Sequence, residues 1–166
     1  CALFRRTAEE NGLQGRLRCL EGDLRQGLLP PGQFRLAVAN PPYFPPDAGA
    51  VAPDAARRTA RAETDCTLSQ LCAAAARALT WGGSFCLVHR PDRLADVLEE
   101  LRRVRLEPKR LRFVHHTAAA PPSLFLLEAR LGGGVGLTVE PPLLLHGPDG
   151  GETEDVRRAY FRDKEE

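Results

Sequence analysis

The sequence predicts a single domain of alternating α/β type, built on a sheet with buried parallel strands. Three observations carry that expectation. Phe34 to Ala39 is an almost wholly apolar run, the pattern of a strand covered on both faces. Thr67 to Leu79 is an alanine-rich helical pattern that leads through Trp81-Gly82-Gly83 into a second apolar run, Phe85 to Val88, giving strand, helix, strand. The 166 residues are 43% hydrophobic and 27% charged, with no internal repeat and no linker, which is the balance of one globular domain with a real core.

The chain opens inside a helical pattern, with Leu3, Phe4, Ala8 and Leu13 loosely spaced and Asn11-Gly12 as a left-handed terminating pair. Methionine is absent and no cap residue precedes Cys1, so the chain reads as a fragment. Arg16 to Leu20 alternates charged and apolar residues, a short strand that Glu21-Gly22-Asp23 turns outward, leaving an acid at its carboxyl end. Pro30-Pro31-Gly32 breaks the next segment, and the strand Phe34 to Ala39 then delivers Asn40-Pro41-Pro42-Tyr43. Phe44 to Ala62 carries Arg57, Arg58 and Arg61 without periodicity, and loops this long in compact domains are functional or disordered. Beyond Val88 come an amphipathic helix from Asp92 to about Arg105 and strands over Leu111 to His115 and Leu124 to Ala129. Gly132-Gly133-Gly134 is a flexible connector. A Pro-bounded strand from Leu143 to His146, a turn at Asp149-Gly150-Gly151 and a short helix from Thr153 to Tyr160 complete the pattern.

Composition narrows the partners. Lys plus Arg number 23 against 22 Asp plus Glu, a net of +1, so any polyanion must be met locally rather than by overall attraction. Lys109 and Lys164 are the only lysines; this arginine bias suits bidentate phosphate contact and equally fits codon usage in a GC-rich genome. No apolar stretch approaches the roughly 20 residues needed to cross a bilayer, and no signal sequence opens the chain, which makes the cytoplasm the default compartment. Cys1, Cys19, Cys66, Cys72 and Cys86 form no Cys-x-x-Cys pair and read as free thiols. His115-His116 points to opposite faces of a strand with no completing ligand nearby, so no metal site is expected. The basic residues between Arg90 and Arg112 are interleaved with acids and read as a solvated face before they read as a phosphate stripe.

Ligands of open parallel sheets bind beyond the carboxyl ends of strands, where Asn40-Pro41-Pro42-Tyr43 lies. Each proline fixes its own φ and biases the residue before it toward extended backbone, which holds Asn40 and the Pro41 carbonyl in one orientation. A planar exocyclic amine is a poor nucleophile because its lone pair is conjugated with the ring. An Asn oxygen and a backbone carbonyl that accept its two N–H groups favour a tetrahedral nitrogen with the lone pair free for an electrophilic methyl. Tyr43 offers a face on which an extruded base can stack.

At these residues the chain resembles the S-adenosylmethionine-dependent amino-methyltransferases, whose tetrapeptide serves adenine N6, guanine N2 and glutamine N5 alike. The surrounding Val38 to Phe44, Ala60 to Glu63, Val88 to Leu94, Leu106 to Leu111 and Gly136 to Tyr160 are similar to the bacterial valine-tRNA adenine-N6 methyltransferase family. The resemblance implies a Rossmann-like class I S-adenosylmethionine-dependent methyltransferase sheet, of usual strand order 3-2-1-4-5-7-6, here lacking the first two strands and the Gly-rich loop. Residues 1–166 would then be the carboxyl-terminal portion of one catalytic domain, with most of the cofactor site outside it. It implies catalytic roles for Asn40, Pro41, Pro42 and Tyr43, cofactor contacts from Asp23 and Asn40, tRNA as substrate, and RNA contact by Arg57, Arg58 and Arg61. Asp23 also reads as a plain turn residue after Gly22. Two departures stand out: Ala62 replaces a histidine between Arg61 and Glu63, and Trp81 replaces a proline before Gly82. The alternatives are a glutamine-N5 methyltransferase of release factors, or a truncated product that binds RNA or is inert.

Overall fold

The computed structural model describes residues 1–41 and 67–161, and among these it forms six strands and four α-helices. Helix α1 (Ala2–Glu10) ends where Gly12 takes a left-handed φ of +64°. Residues 16–20 form turn and coil, not the strand their alternation predicts. A strand needs a neighbouring edge and a face to bury; no described strand pairs with this segment, and Leu17 and Leu20 stay exposed. A single 3-10 turn follows at Leu24–Gln26, capped by Asp23 and closed by Gly27 at φ +68°.

Strand β1 (Phe34–Ala39) has the expected bounds and runs parallel to β2 (Leu79–His89). The expected burial on both faces is not found. Among the described residues β1 has β2 as its one neighbour and so stands as an edge strand: Ala37 and Ala39 pack on the core, while Leu36 and Val38 are 55% and 74% exposed. Between the two strands stands α2 (Leu68–Ala78), started by a complete capping box. Thr67 Oγ1 accepts the Gln70 N–H at 3.2 Å, and Gln70 Oε1 accepts the Thr67 N–H at 2.9 Å. Thr67→Ala is expected to lower the unfolding free energy by about 1 kcal/mol, read as a lower urea midpoint at unchanged slope.

Trp81-Gly82-Gly83, expected as a turn ahead of a short strand, lies inside β2. Phe34 pairs with Leu79 but Leu36 pairs with Ser84, so residues 80–83 bulge from the ladder, with Gly82 at φ +78°. A 3-10 turn at Pro91–Arg93 leads into α3 (Leu94–Arg103), which buries Val97 and Leu101 completely. Strands β3 (Leu106–His115) and β4 (Pro122–Leu131) form an antiparallel pair longer than the sequence pattern indicates, because a register shift between Pro108 and Arg110 accommodates the proline. Two short strands, β5 (Thr138–Val139) and β6 (Leu143–Leu144), run parallel to β3, and α4 (Glu154–Ala159) follows, capped by Thr153.

The sheet order is β1-β2-β4-β3-β5, with β6 also on β3. Its β1-β2-β4-β3 run matches the last positions of the order implied by the resemblance, and the sheet is mixed because β4 runs antiparallel to both neighbours. Phe85, Leu87, Phe125 and Leu127 on one face close a core with Cys72 and Ala75 of α2 and Val97 and Leu101 of α3. The opposite face, carrying Val38, Cys86, Val88 and Leu126, holds the features described next. Among the described residues, no helix is long and apolar enough to cross a membrane.

Candidate active site

Because β1 and β2 are parallel, both bring their carboxyl ends to one edge of the sheet. Ala39 is paired with Leu87, which sets Asn40 level with Val88 and one residue short of His89. Asn40 is exposed and Pro41 half-buried. Asn40, Ala39, Val38 and Val88 line one end of a cleft of about 460 Å³ across the open sheet face. Cys86 and Leu126 line it further along, and Arg110, Arg112, Glu128 and Glu140 form its charged far wall.

That wall is internally paired. Arg110 donates from Nε to Glu140 at 2.8 Å and from a terminal nitrogen to Glu128 at 3.1 Å. The hydrogen bond from Arg110 holds the Glu140 carboxyl below the usual carboxylate range. Cys86 goes the other way: burial, then the Glu128 charge, pushes its thiol up, which disfavours the thiolate. Sequence reasoning missed this wall. The signal was available, since Arg110 and Arg112 alternate on β3 across from Glu128 on β4.

At the same edge, His89 is buried, its Nδ1 accepts the Arg90 N–H at 2.8 Å, and its ring stacks on Phe125 with centroids 6.2 Å apart. Burial first, then the Arg93 charge, pushes its pKa below the ordinary value. The unfolded chain therefore takes up a proton near pH 6.5 that the folded chain still refuses. Stability is expected to fall as pH drops from about 6.5 toward the depressed folded value and to level off below it. Unfolding free energies measured between about pH 7.5 and 5 check this, with His89→Gln flattening the slope.

Asp23 lies elsewhere. Its carboxylate accepts from the Arg25 side chain and backbone, which holds it below its ordinary range, and it is not among the residues that line the cleft of Asn40. Near it a second cleft of about 340 Å³ separates the 3-10 turn from α2, lined by Arg25, Gly27, Gln70 and Arg77. Pro42, Tyr43, Arg57, Arg58 and Arg61 lie outside the described residues. The basic run from Arg90 to Arg112 resolves into exposed ion pairs, among them Arg90 with Asp92, Arg93 with Asp96, Arg102 with Glu107, and Arg103 with Glu99. His115 Nδ1 is 2.7 Å from the Ala120 carbonyl and His116 stacks on His146; among the described residues no group of three or more His, Cys, Asp or Glu converges as metal ligands.

Solved structures share this architecture. A predicted O-methyltransferase from Agrobacterium tumefaciens aligns with a TM-score of 0.71 at 20% identity, over 92% of this chain and 67% of its own. Geranyl diphosphate C-methyltransferase from Streptomyces coelicolor, solved with Mg²⁺, geranyl diphosphate and S-adenosyl-L-homocysteine, aligns with a TM-score of 0.52 at 12% identity, over 76% of this chain and 57% of its own. The fold is thus the Rossmann-like fold of methyltransferases, and the chain spans about two thirds of the first structure's length and less of the second's. No protein-family model and no curated protein sequence matches it significantly.

Proposed function

We propose that the whole protein carrying these residues is an S-adenosylmethionine-dependent methyltransferase acting on the N6 amine of an adenosine in tRNA, the one 3′ of the anticodon of valine tRNA, in the cytoplasm. The observation that carries this reading is the position of Asn40-Pro41: directly after a parallel strand, level with the end of the next one, at the mouth of a cleft. The fold shared with methyltransferases supports the reaction class, and the sequence around Asn40 supports the tRNA substrate.

The chain's own residues would act as hydrogen-bond acceptors. Asn40 Oδ1 and the Pro41 carbonyl take the two N–H groups of the amine and draw its nitrogen toward tetrahedral geometry. The nitrogen lone pair forms the new N–C bond, the methyl leaves with its former bonding pair staying behind on the donor, and the cationic amine then releases one proton to water. No strong base is needed, because the proton leaves after nitrogen has become positive. Tyr43 stacks on the base, and Arg57, Arg58 and Arg61 meet RNA phosphates.

The cofactor supplies the electrophilic methyl when bound. The described residues fit only part of such a group. Asn40 offers an acceptor at the cleft for its amino or hydroxyl groups, and Asp23, outside the lining of that cleft and already paired with Arg25, is the second proposed contact. No glycine immediately follows any described strand of the parallel pair β1 and β2, where a close backbone approach would be needed. A methyl-labelled donor offered together with unmodified bulk tRNA and release-factor protein tests the substrate class. Label in RNA is the expected outcome; label in protein with untouched tRNA moves the assignment to glutamine N5.

A further inference from the structure

The opposite end of the sheet carries a feature with no part in the cleft of Asn40. Trp81 stands on the bulge of β2 and is 66% exposed, a large apolar surface for a lone aromatic on a sheet edge. It is nevertheless held. The Arg105 guanidinium lies 4.8 Å from its ring centroid, and a Cβ at Gly132 would come within 2.2 Å of Cζ2. The Gly132 N–H donates to the Arg105 carbonyl at 2.9 Å, so these two contacts reach the indole from neighbouring backbone and leave the rest of the ring to solvent.

Three unusual backbone positions converge on this ring. Gly82 and Gly132 take φ of +78° and +69°, and Arg105, just beyond the C-cap of α3, takes φ of +64° where glycine is the usual residue. An arginine kept in a left-handed position whose side chain lies over an exposed indole is a placed cation–π pair. The cations around it outnumber the acids. Among the described residues neither Arg105 nor Arg130 is ion-paired, and Lys109 donates to the Gly134 carbonyl rather than to an acid. Glu107, beside Gly133, is already taken by Arg102 at 2.9 Å.

We propose that Trp81, backed by Arg105, is a stacking platform for an unpaired base of an RNA strand, whose phosphates are met by Arg130 and Lys109. Aromatic faces accept any base, and cations without carboxylate partners beside the adjoining Gly133 and Gly134 favour a polyanion over an apolar protein surface. The platform rests on the tRNA reading only for the class of partner, not for any step at Asn40. It adds a contact toward the other end of β2, seven residues before Val88, the residue level with Asn40, and so roughly 20 Å from the reacting amine, a separation that only a large substrate spans.

Trp81 is the single tryptophan of the chain, so its fluorescence reports on this site alone. The full chain titrated with single-stranded oligoadenylate is expected to show saturable quenching that weakens steeply as salt rises, with much less quenching by duplex RNA. Trp81→Ala is expected to weaken binding about tenfold by anisotropy of a labelled oligonucleotide, and Trp81→Phe to retain most of it. Arg105→Ala should weaken the quenching, and Asn40→Ala should leave it unchanged, which separates failure at this site from failure of the methyl-transfer reading. Absence of quenching, equal quenching by duplex RNA, or full affinity in Trp81→Ala overturns the proposal. An emission shift that depends on protein concentration without RNA overturns it too, and assigns the patch to a protein contact.

Discussion

Asn40→Ala is expected to lower the rate of methyl transfer by a factor of about 10² to 10³ while leaving the affinity for the RNA nearly intact. The side-chain oxygen acts where the amine changes geometry, so its loss falls on kcat rather than on KM. Asn40→Asp keeps an acceptor oxygen at the same place and is expected to retain more activity than the alanine variant. Since Asn40 is an exposed residue just past the end of β1, both variants should melt close to the parent. Single-turnover rates with excess enzyme, read beside RNA affinity, check the split. Equal losses in rate and in RNA affinity would make Asn40 a binding residue only.

The largest stability effect is expected at Phe125. It is fully buried in the middle of β4, paired across the sheet with Phe113 of β3 and with His89 of β2, whose ring it also touches. Phe125→Ala removes that packing and leaves a cavity between the sheet and its helices, a loss of about 3–5 kcal/mol. Against the roughly 5–15 kcal/mol that holds a domain folded, such a loss is a large share. Phe125→Leu should lose less than half as much. Urea unfolding of both variants checks the order, and a loss under about 1 kcal/mol for the alanine variant would mean that this face is not a closed core.

How far the sequence was legible follows from what each signal depended on. Local signals read well: the alanine-rich helix from Thr67, the apolar run of β1 and the amphipathic face of α3 all stand within a residue or two of expectation. Signals that depend on neighbours read poorly. Arg16 to Leu20 alternates like a strand but has no described edge to pair with, and Leu36 and Val38 look like core residues but stand open on an edge strand. Trp81-Gly82-Gly83 looks like a turn because a bulge uses the same residues, and only the continuing ladder on either side tells the two apart. The position of Asn40 directly after β1 was legible, because the apolar run that sets it is local. The wall of Arg110, Glu128 and Glu140 was missed: the alternation of Arg110 and Arg112 was there to read, but their partners are set by cross-strand register over long sequence separations.

Asn40 and Pro41 are proposed to serve methyl transfer to an adenine amine. Nucleoside analysis of unmodified bulk tRNA, after incubation with a methyl-labelled donor and the whole protein, parent beside Asn40→Ala, decides this role. N6-methyladenosine that appears with the parent and vanishes with the variant is the predicted result. Label in another nucleoside, in protein, or undiminished in Asn40→Ala would contradict it.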